Sequence, residues 1–422
     1  MDGKGTGAGP GSNALRIDRE RLWSTLQESG RIGPGRAGGL KRLALDDADR
    51  DMRDLFVAWC REAGFDVTVD GVGNICARRA GTEPDLPPVV VGSHLDTQVA
   101  GGRYDGILGV LAGLEILRTL NDKGIETRRP IELIDWSNEE GARFTPPMLA
   151  SGAFAGVHAL DWVLARRDDD GKSFGEELAR IGYAGKAPVG GRPLDAYFEL
   201  HIEQGPILEA EGVPLGIVTG GYATRGFNID IRGENAHSGP TPMAKRRNAL
   251  VGAGYLIVAV NEIGWKFAEG EGKATAARLE VWPNKAGIIS DWAQLTCDFR
   301  HPDPKATAEM EALLRAAIPE AAEKARVEIE IVEDWTFGEE RFDPDCIALV
   351  RESAAELGVP TRDLLSQAGH DAYHLSRICP TALLFTPCRD GVTHNEAEHI
   401  EADYTVPGVD VLLHAVLKRA NR

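Results

Sequence analysis

Apolar and polar positions along the chain predict alternating strands and helices. Continuous apolar runs are typical of buried strands, and they occupy residues 88–91, 131–136, 197–202 and 382–386. Residues 107–120 carry apolar side chains at helical spacing, and a terminal helix is expected near residues 408–419. Strands that alternate with helices in this way predict an α/β sheet covered by helices.

The pattern changes in the middle of the chain. Residues 227–232 alternate apolar and polar positions, as a half-buried strand does. A helix is predicted next, with Thr241 as N-cap, Pro242 in the first turn and an apolar body through Val260. The other predicted elements of this region are strands at 277–282, 293–300 and 327–332 and a helix around 306–317. Their order, strand-helix-strand-strand-helix-strand, predicts a ferredoxin-like α+β domain.

These elements predict two domains in a chain of 422 residues, at the usual size of roughly 100–200 residues per domain. The main domain is expected to be discontinuous, with residues 14–215 and 335–422 on either side of an inserted domain at 216–334. Residues 1–13 are glycine-rich and are expected to form a flexible tail.

Composition argues against several classes of protein. A formal net charge of −18 disfavours nucleic-acid and membrane partners, because phosphate surfaces select basic proteins. No apolar run approaches the roughly 20 residues that span a bilayer, and the N-terminus lacks the apolar core of a secretory signal. The six cysteines form no C-x-x-C pair, which favours free thiols in a reducing cytoplasm.

Five short motifs contain nearly all the candidate metal ligands. Four of them fall at or just after predicted strand ends, and the fifth lies in the inserted domain. The side chains concerned are His94, Asp96, Asp105, Glu139, Glu140, His201 and His394 in the main domain and His237 in the inserted domain. Function in open α/β sheets gathers at the carboxyl ends of strands, so one sheet edge would collect the four main-domain motifs.

Each motif also has a simpler explanation. A histidine at a strand end is commonly a hydrogen-bonded structural residue, and a pair of glutamates commonly forms a solvated turn. Asp105, directly before Gly106, could cap the helix that follows. The occurrence of all four motifs along one predicted sheet edge favours a metal site over these explanations.

Taken together, the motifs resemble those of the hydantoinase/carbamoylase amidases. That group includes N-carbamoyl-L-amino acid hydrolases, β-ureidopropionases and allantoate amidohydrolases, within a superfamily of dinuclear metallopeptidases and aminoacylases. The matching segments follow in family order from about Ile17 to the C-terminus, as GSHLDT, GGRYDG, NEEG, HIEQGP, HSGPTPM, AGHDA and THNEAE. The resemblance implies a mixed-sheet dinuclear metallohydrolase domain with an inserted lid and dimerisation domain.

The resemblance also implies two divalent metal ions per subunit, drawn from Zn, Mn, Co and Ni. His94 and His201 would bind one ion, Glu140 and His394 would bind the other, and Asp105 would bridge both. Two dications about 3.5–4 Å apart repel each other unless an anion lies between them, which gives the bridging carboxylate a physical reason.

Catalytic roles for Asp96, Glu139 and His237 follow from the same resemblance. Asp96 would orient the His94 ring and raise its basicity. Glu139 would be the general base: it takes a proton from water acidified by the metals, the resulting hydroxide attacks the carbonyl carbon, and Glu139 returns the proton to the leaving nitrogen. His237 would stabilise the oxyanion, from the partner subunit or after domain closure. Its alternative is a helix-entry histidine without a catalytic role.

Three further residues match family positions that contact substrate, namely Gln204, His370 and Arg300. Arg300 would hold a substrate carboxylate through a two-pronged hydrogen bond, and a solvated strand-end arginine is the alternative. The family asparagine that precedes this arginine and binds substrate is replaced by Gly287. Loss of one amide donor should weaken carboxylate binding by roughly 1–3 kcal/mol, so an atypical substrate is expected.

The predicted function is therefore metal-dependent hydrolysis of a linear carbamoyl (ureido) C–N bond in a small molecule, an N-carbamoyl-amino acid or a related ureido acid. An N-acyl-amino acid or dipeptide hydrolase with the same dinuclear site is the alternative. A catalytically silent binding protein is disfavoured, because all five ligands and Glu139 are present. Sheets of inserted domains often pair edge to edge, so a homodimer through residues 216–334 is expected.

Overall fold

A computed structural model describes residues 14–422, and the expected tail at 1–13 lies outside the described residues. The chain separates into two compact units. One unit contains the described chain up to Thr219 together with Arg341–Leu364 and Gly369–Arg422. The other contains Gly220–Glu340 and Leu365–Ala368.

The larger sheet has eight strands in the order β1-β2-β4-β3-β5-β14-β6-β13. Its strands are β1 (Asp66–Val69), β2 (Ile75–Arg79), β3 (Val89–Ser93), β4 (Ile131–Asp135), β5 (Ala196–Ile202), β6 (Leu215–Gly221), β13 (Thr361–Ser366) and β14 (Thr381–Thr386). The predicted runs at 88–91, 131–136, 197–202 and 382–386 are its four central strands.

Those central strands, in the order β4-β3-β5-β14, run parallel to one another. The strands β2 and β6 pair with this block in the antiparallel direction, so the sheet is mixed, as expected. Every residue of the four central strands is buried, which is typical of strands covered on both faces. Because they are parallel, their carboxyl ends lie at the same edge of the sheet.

Ten helices accompany this sheet in the described part of the chain. They are α1 (Arg19–Ser29), α2 (Asp47–Glu62), α3 (Ile107–Asp122), α4 (Leu149–Phe154), α5 (Leu160–Leu164), α6 (Phe174–Arg180), α7 (Ile207–Glu211), α10 (Pro344–Leu357), α11 (Asp371–Leu375) and α12 (Ala402–Ala420). Helix α3 is the helix predicted at 107–120. Its N-cap residue is Gly106 and no side chain caps it, so Asp105 does not have the capping role considered above. No helix within residues 14–422 has the length and apolarity needed to cross a bilayer.

The second unit has a four-stranded antiparallel sheet in the order β12-β7-β11-β9. The strands are β7 (Ala223–Arg232), β9 (Lys273–Trp282), β11 (Trp292–His301) and β12 (Glu328–Phe337), and the helices α8 (Ala249–Phe267) and α9 (Pro304–Ala325) pack on them. A two-residue ladder joins β8 (Ala236–His237) to β10 (Ile288–Ile289). The chain order β7-α8-β9-β11-α9-β12 confirms the predicted ferredoxin-like arrangement.

The predicted start of α8 was wrong. The helix begins at Ala249, and the side chain of its N-cap Asn248 accepts a hydrogen bond from the Leu250 N–H. Pro242 is extended, at φ −60° and ψ 144°. The Arg246 guanidinium donates to the carbonyl of Thr241 at 3.0 Å, which occupies the acceptor that a helix starting there would use, and the segment forms only one 3-10 turn, Met243–Lys245.

Candidate metal centre

The first group of candidate ligands consists of His94, Asp105 and His201. His94 directly follows β3, and His201 lies near the end of β5, so the parallel strands bring both to one edge of the sheet. Nε2 of His201 lies 3.0 Å, and Nε2 of His94 3.9 Å, from Oδ1 of Asp105. The ligand atoms of all three residues lie within 4.8 Å of one another, and all three residues are buried.

Backbone carbonyls orient both imidazole rings of this group. Nδ1 of His94 donates to the carbonyl oxygen of Asp96, and Nδ1 of His201 donates to that of Ile202, each at 2.9 Å. An imidazole that donates through Nδ1 keeps the lone pair of Nε2 for an ion. Once Nε2 has lost its proton, both rings therefore have the tautomer that a metal ligand needs.

The second group consists of Asp105, Glu140 and His394, whose ligand atoms also lie within 4.8 Å of one another. Nε2 of His394 lies 3.2 Å from Oε2 of Glu140 and 3.4 Å from Oδ2 of Asp105. Glu140 is in the turn that follows β4, and His394 is in the loop that follows β14. The Gln98 amide donates to Oε2 of Glu140 at 2.9 Å and fixes that carboxylate.

Asp105 belongs to both groups. Its Oδ1 faces the histidines of the first group, and its Oδ2 faces the His394 ring. Oδ2 also accepts hydrogen bonds from the Gln204 amide at 2.9 Å and the Thr393 hydroxyl at 2.8 Å. One carboxylate between two sets of ligands is the arrangement that two neighbouring dications require.

The donor set fits divalent first-row metal ions. Imidazole nitrogen and carboxylate oxygen are ligands that zinc, manganese, cobalt and nickel accept in proteins. Each group offers three protein ligands, which leaves coordination positions for water or substrate as catalytic sites do. The residues present therefore match the metal-binding character expected from the sequence.

Protons on histidine balance the carboxylates when no ion is bound. Burial disfavours a charged imidazole, but the hydrogen bond to Asp105 and its charge raise the pKa of His201 to about 9. Partial desolvation opposes protonation of the half-exposed His394, but the charge and hydrogen bond of Glu140 and the charge of Asp105 raise its pKa to about 9. Burial alone would raise the pKa of Asp105, but the hydrogen bond and charge of His201 and the charges of His394 and His94 hold it well below its ordinary value. Bound dications would replace these protons.

Glu139 is buried beside the first group, with Oε2 3.4 Å from Nε2 of His94. Asn138 and Gly141 on either side of the glutamate pair have left-handed backbones, at φ 58° and 67°. This turn directs Glu139 and Glu140 to different partners. Burial and the negative charges of neighbouring carboxylates, that of Asp371 foremost, raise the pKa of Glu139 well above its ordinary value.

Asp96 supports the glutamate turn more directly than the His94 ring. Its carboxylate lies 3.9 Å from Nδ1 of His94. The same carboxylate accepts hydrogen bonds from the backbone N–H groups of Glu139 at 3.2 Å and Glu140 at 3.3 Å. Asp96 thus connects the end of β3 to the turn that carries both glutamates.

The candidate substrate residues fall in both units. His370 is buried at the N-cap of α11, with its ring centroid 4.5 Å from that of His201, and Gln204 contacts Asp105. In the second unit, His237 is exposed in β8 and its Nδ1 accepts from the Gly239 N–H at 3.1 Å. Arg300 lies on β11, where it donates to the Gln367 carbonyl at 2.7 Å and pairs with Asp298.

Sequence reasoning missed three residues that hold the ligands in place, namely Gln98, Thr393 and Glu398. Glu398 is buried and accepts hydrogen bonds from the backbone N–H groups of Tyr104 at 2.9 Å and Asp105 at 3.2 Å. The available signal was its place in the THNEAE motif, four residues after His394.

Comparisons with known proteins agree with this geometry. The sequence model of peptidase family M20/M25/M40 matches residues 90–418 of this chain. The N-carbamoyl-L-amino-acid amidohydrolase of Rhizobium meliloti is 45% identical over 413 residues, which cover 98% of this chain and 99% of that protein. The N-carbamoyl-L-amino acid amidohydrolase of Geobacillus stearothermophilus is 36% identical over 412 residues, 96% of this chain and 99% of that protein. A solved amidase of the hydantoinase/carbamoylase family from Burkholderia vietnamiensis is similar at a TM-score of 0.94 and 48% identity, covering 97% of this chain and 99% of that one.

Proposed function

The chain belongs to peptidase family M20/M25/M40 and, within it, to the hydantoinase/carbamoylase amidases, and on that premise we propose that it hydrolyses the carbamoyl C–N bond of an N-carbamoyl-amino acid or a related ureido acid. It is a hydrolase of C–N bonds other than peptide bonds. The observation that carries the proposal is the pair of ligand groups that share Asp105, with Glu139 beside them.

The proposed centre holds two divalent ions. His94 and His201 would hold one, Glu140 and His394 the other, and the Asp105 carboxylate would contact both. The ligand types admit Zn, Mn, Co or Ni. When bound, such ions supply Lewis acidity, which lowers the pKa of a water molecule and polarises the carbonyl oxygen of the substrate.

Glu139 moves the proton in this proposal. Its carboxylate takes a proton from the attacking water and delivers it to the leaving nitrogen, so that the C–N bond breaks without release of an amide anion. Its buried position, with Oε2 3.4 Å from Nε2 of His94, places it beside the first ligand group, where it can carry the proton between the two steps. Asp96 would keep the turn in place through the N–H groups of Glu139 and Glu140. Cleavage of one C–N bond leaves a carbamic acid, which loses its remaining nitrogen without further catalysis, so the products would be the amino acid, ammonia and carbon dioxide.

We also propose which side chains contact the substrate, on the basis of their residue types. Arg300 would hold the substrate carboxylate, since a guanidinium has five N–H donors and only part of them contact Asp298 and Gln367. Gln204 and His370 would contact the polar groups of the substrate, and His237 would stabilise the oxyanion.

A substrate panel tests the proposed reaction. Metal-depleted protein is reconstituted with Zn²⁺, Mn²⁺, Co²⁺ or Ni²⁺ and assayed for ammonia release from N-carbamoyl-amino acids and for amine release from N-acetyl-amino acids. We expect ammonia release, and a fall in kcat of about 10²–10⁴ for Glu139→Gln at unchanged ion content, the usual size of a general-base contribution. Amine release from the N-acetyl compounds alone would move the assignment to an acylase.

A homodimer through the second unit is the second part of the proposal. Strand β9 lies at one edge of its sheet. Helix α8 exposes apolar side chains at helical spacing, with Tyr255, Val258 and Trp265 42%, 56% and 76% exposed, and Trp282 of β9 is 68% exposed. An exposed apolar stripe of this kind marks an interaction surface, and an open strand edge can pair with a second copy.

Light scattering on a sizing column tests the dimer. The wild-type chain should elute at twice the chain mass at micromolar concentration, and Val258→Lys should shift it to the monomer. Glu309→Lys places the same charge at an exposed position of α9 and serves as the control. A monomeric wild type would remove the dimer and the cross-subunit role of His237.

A cytoplasmic location is also part of the proposal. All six cysteines are free thiols, which fits a reducing compartment. Cell fractionation with an activity assay would test it, and activity confined to a membrane or secreted fraction would contradict it.

A further inference from the structure

The two ligand groups differ in how the chain holds them. The side chains of His94 and His201 are each 1% exposed, and both residues belong to or directly follow strands of the parallel block. The His394 side chain is 49% exposed, and His394 lies in an irregular loop with a left-handed backbone at φ 49°. A non-glycine residue keeps that conformation only when the surrounding contacts impose it. The position of His394 therefore depends on whatever fixes residues 392–398.

One such contact is made by Glu396, two residues after His394. Its carboxylate accepts hydrogen bonds from three backbone N–H groups of a glycine-rich segment, those of Arg36 at 3.1 Å, Gly39 at 3.2 Å and Ala37. The glycines at 35 and 39 make room for it, because a Cβ at Gly35 would lie 2.5 Å from Oε2 of Glu396. A carboxylate that accepts several backbone N–H bonds is held strongly.

A second contact is made by Glu398. It accepts the N–H groups of Tyr104 and Asp105, and its other oxygen lies 3.2 Å from the Thr393 hydroxyl oxygen. A Cβ at Gly102 would lie 1.9 Å from the Glu398 carboxyl carbon, which explains the second glycine of the GGRYDG motif. Glu398 thus joins the loop of His394 to the loop of the shared ligand Asp105.

The segment that receives Glu396 is itself tied to the Asp105 loop. The backbone of Leu40 pairs with that of Gly101 in both directions, at 2.9 and 2.8 Å. The Arg103 guanidinium donates to the Gly38 carbonyl at 2.6 Å. Residues 35–40 are therefore an anchored receptor for Glu396, and through it for the loop of His394.

We infer that Glu396 is a positioning residue that sets the affinity of the ion position formed by Glu140 and His394, while Glu398 supports both ion positions through Asp105. The inference rests on the proposed two-ion centre. The contacts support this, since the hydrogen bonds of the Glu396 carboxylate join the loop of His394 to its receptor, whereas Glu398 also accepts the N–H of Asp105, the residue common to both ligand groups.

Titration of the metal-depleted full-length chain with Co²⁺ tests this. Binding is followed by visible absorbance and by ion content after dialysis, and each variant is melted without metal to confirm that it folds. The wild-type chain should bind two ions in two steps, the first at the buried position of His94 and His201 and the second at the position of Glu140 and His394. Glu396→Ala should weaken the second step about 10–100-fold, the usual cost of losing a residue that orients a ligand, and leave the first within about twofold. Glu398→Gln should weaken both steps.

Two further variants complete the design. Glu396→Gln keeps one acceptor oxygen and should give an intermediate loss of the second ion if the alanine variant folds poorly. Glu401→Ala is the control, because Glu401 is an exposed carboxylate nearby that pairs with Arg389 and lies outside the contacts to residues 35–40. An unchanged second step in both Glu396 variants, or equal weakening of the two steps, would overturn the role of Glu396. A wild-type isotherm with fewer than two steps would instead refute the two-ion centre.

Discussion

Gly106 and Gly124 both have left-handed backbones, at φ 69° and 61°, but their surroundings differ. A Cβ at position 106 would lie 2.2 Å from ring atoms of His94, whereas a Cβ at position 124 would meet nothing within 4 Å. The two glycines therefore separate the cost of backbone strain from the cost of displacing a ligand.

We expect Gly124→Ala to lower the free energy of unfolding by about 1–2 kcal/mol, the penalty of a left-handed alanine, without any effect on ion binding. Gly106→Ala also forces a positive φ on alanine, at ψ −46°, and in addition pushes the His94 ring from its place, so it should destabilise more and weaken the binding of Co²⁺ to the metal-depleted chain. Denaturant unfolding and ion titration measure the two effects. Equal ion binding by the two variants would show that the His94 ring yields freely.

Side-chain types at strand ends could be predicted, but their hydrogen-bond partners could not. His94 and His201 follow apolar runs that are recognisable in the sequence. The backbone groups that Asp96 and Glu398 accept from are 43 and more than 290 positions away, and no local pattern encodes such pairs. The resemblance implied that Asp96 orients the His94 ring, which stays a prediction, but it did not indicate the hydrogen bonds of Asp96 to the turn of Glu139.

The N-terminus of α8 offers a test of its observed start. Asn248→Ala removes the side-chain acceptor for the Leu250 N–H and should cost about 1 kcal/mol of stability. Thr241→Ala, at the predicted but incorrect N-cap, should leave stability unchanged. Chemical unfolding measures the free energy of unfolding of both variants. A larger loss of stability in Thr241→Ala than in Asn248→Ala would contradict the observed start of α8.

Helix α2 contains a buried and a partly exposed arginine three residues apart. Arg53 is fully buried, pairs with Asp49 at 2.7 Å and donates to the Ser137 hydroxyl at 3.0 Å, next to the glutamate turn. Arg50 pairs with Asp51 and Asp47 on the surface.

Arg53→Met should cost about 3–5 kcal/mol, because it leaves the buried Asp49 carboxylate without its partner. Arg50→Met should have no measurable effect on stability, since exposed ion pairs contribute little. Urea unfolding of the metal-depleted proteins compares them. Similar losses for the two variants would show that the buried pair is not structurally important.

The elements that could be predicted were those with a strong apolar pattern. The four parallel strands are buried throughout, and α3 has buried residues along nearly its whole length. Strands β1, β2, β6 and β13 were not among the predicted strands. Most residues of β1 and β13 are exposed or half-buried and carry no continuous apolar run, and β6 contains three glycines. The end of α9 was predicted at residue 317, yet the helix continues past Pro319 to Ala325.

For the molecule as a whole, the pKa shifts predict opposite pH trends with and without metal. His201 and His394 have pKa values of about 9, above the ordinary 6.5. Their contribution to stability is present below pH 6.5 and is lost as the pH rises through 9. Burial raises the pKa of Asp135 to about 7, although the charge of Arg53 opposes this shift. The stability that comes from protonated Asp135 is therefore lost as the pH rises from 3.8, its ordinary pKa, to about 7. The metal-depleted chain should therefore be less stable at pH 8.5 than at pH 6.

Ion binding reverses this trend, because the imidazoles must lose their protons to act as ligands. The increase in melting temperature produced by a fixed excess of Mn²⁺ should be larger at pH 8.5 than at pH 6. Calorimetric scans with and without the ion at both pH values test this. A smaller increase at the higher pH would mean that histidine deprotonation does not limit binding.

The position of the second unit within the chain has a consequence for synthesis. His94, Asp105 and His201 all precede residue 220, so a growing polypeptide has every ligand of the first group before translation of the second unit begins. His394 leaves the ribosome only after that unit is complete. The ligands of the first group are thus all made before the second unit, whereas the group of Glu140 and His394 is complete only after that unit has been made.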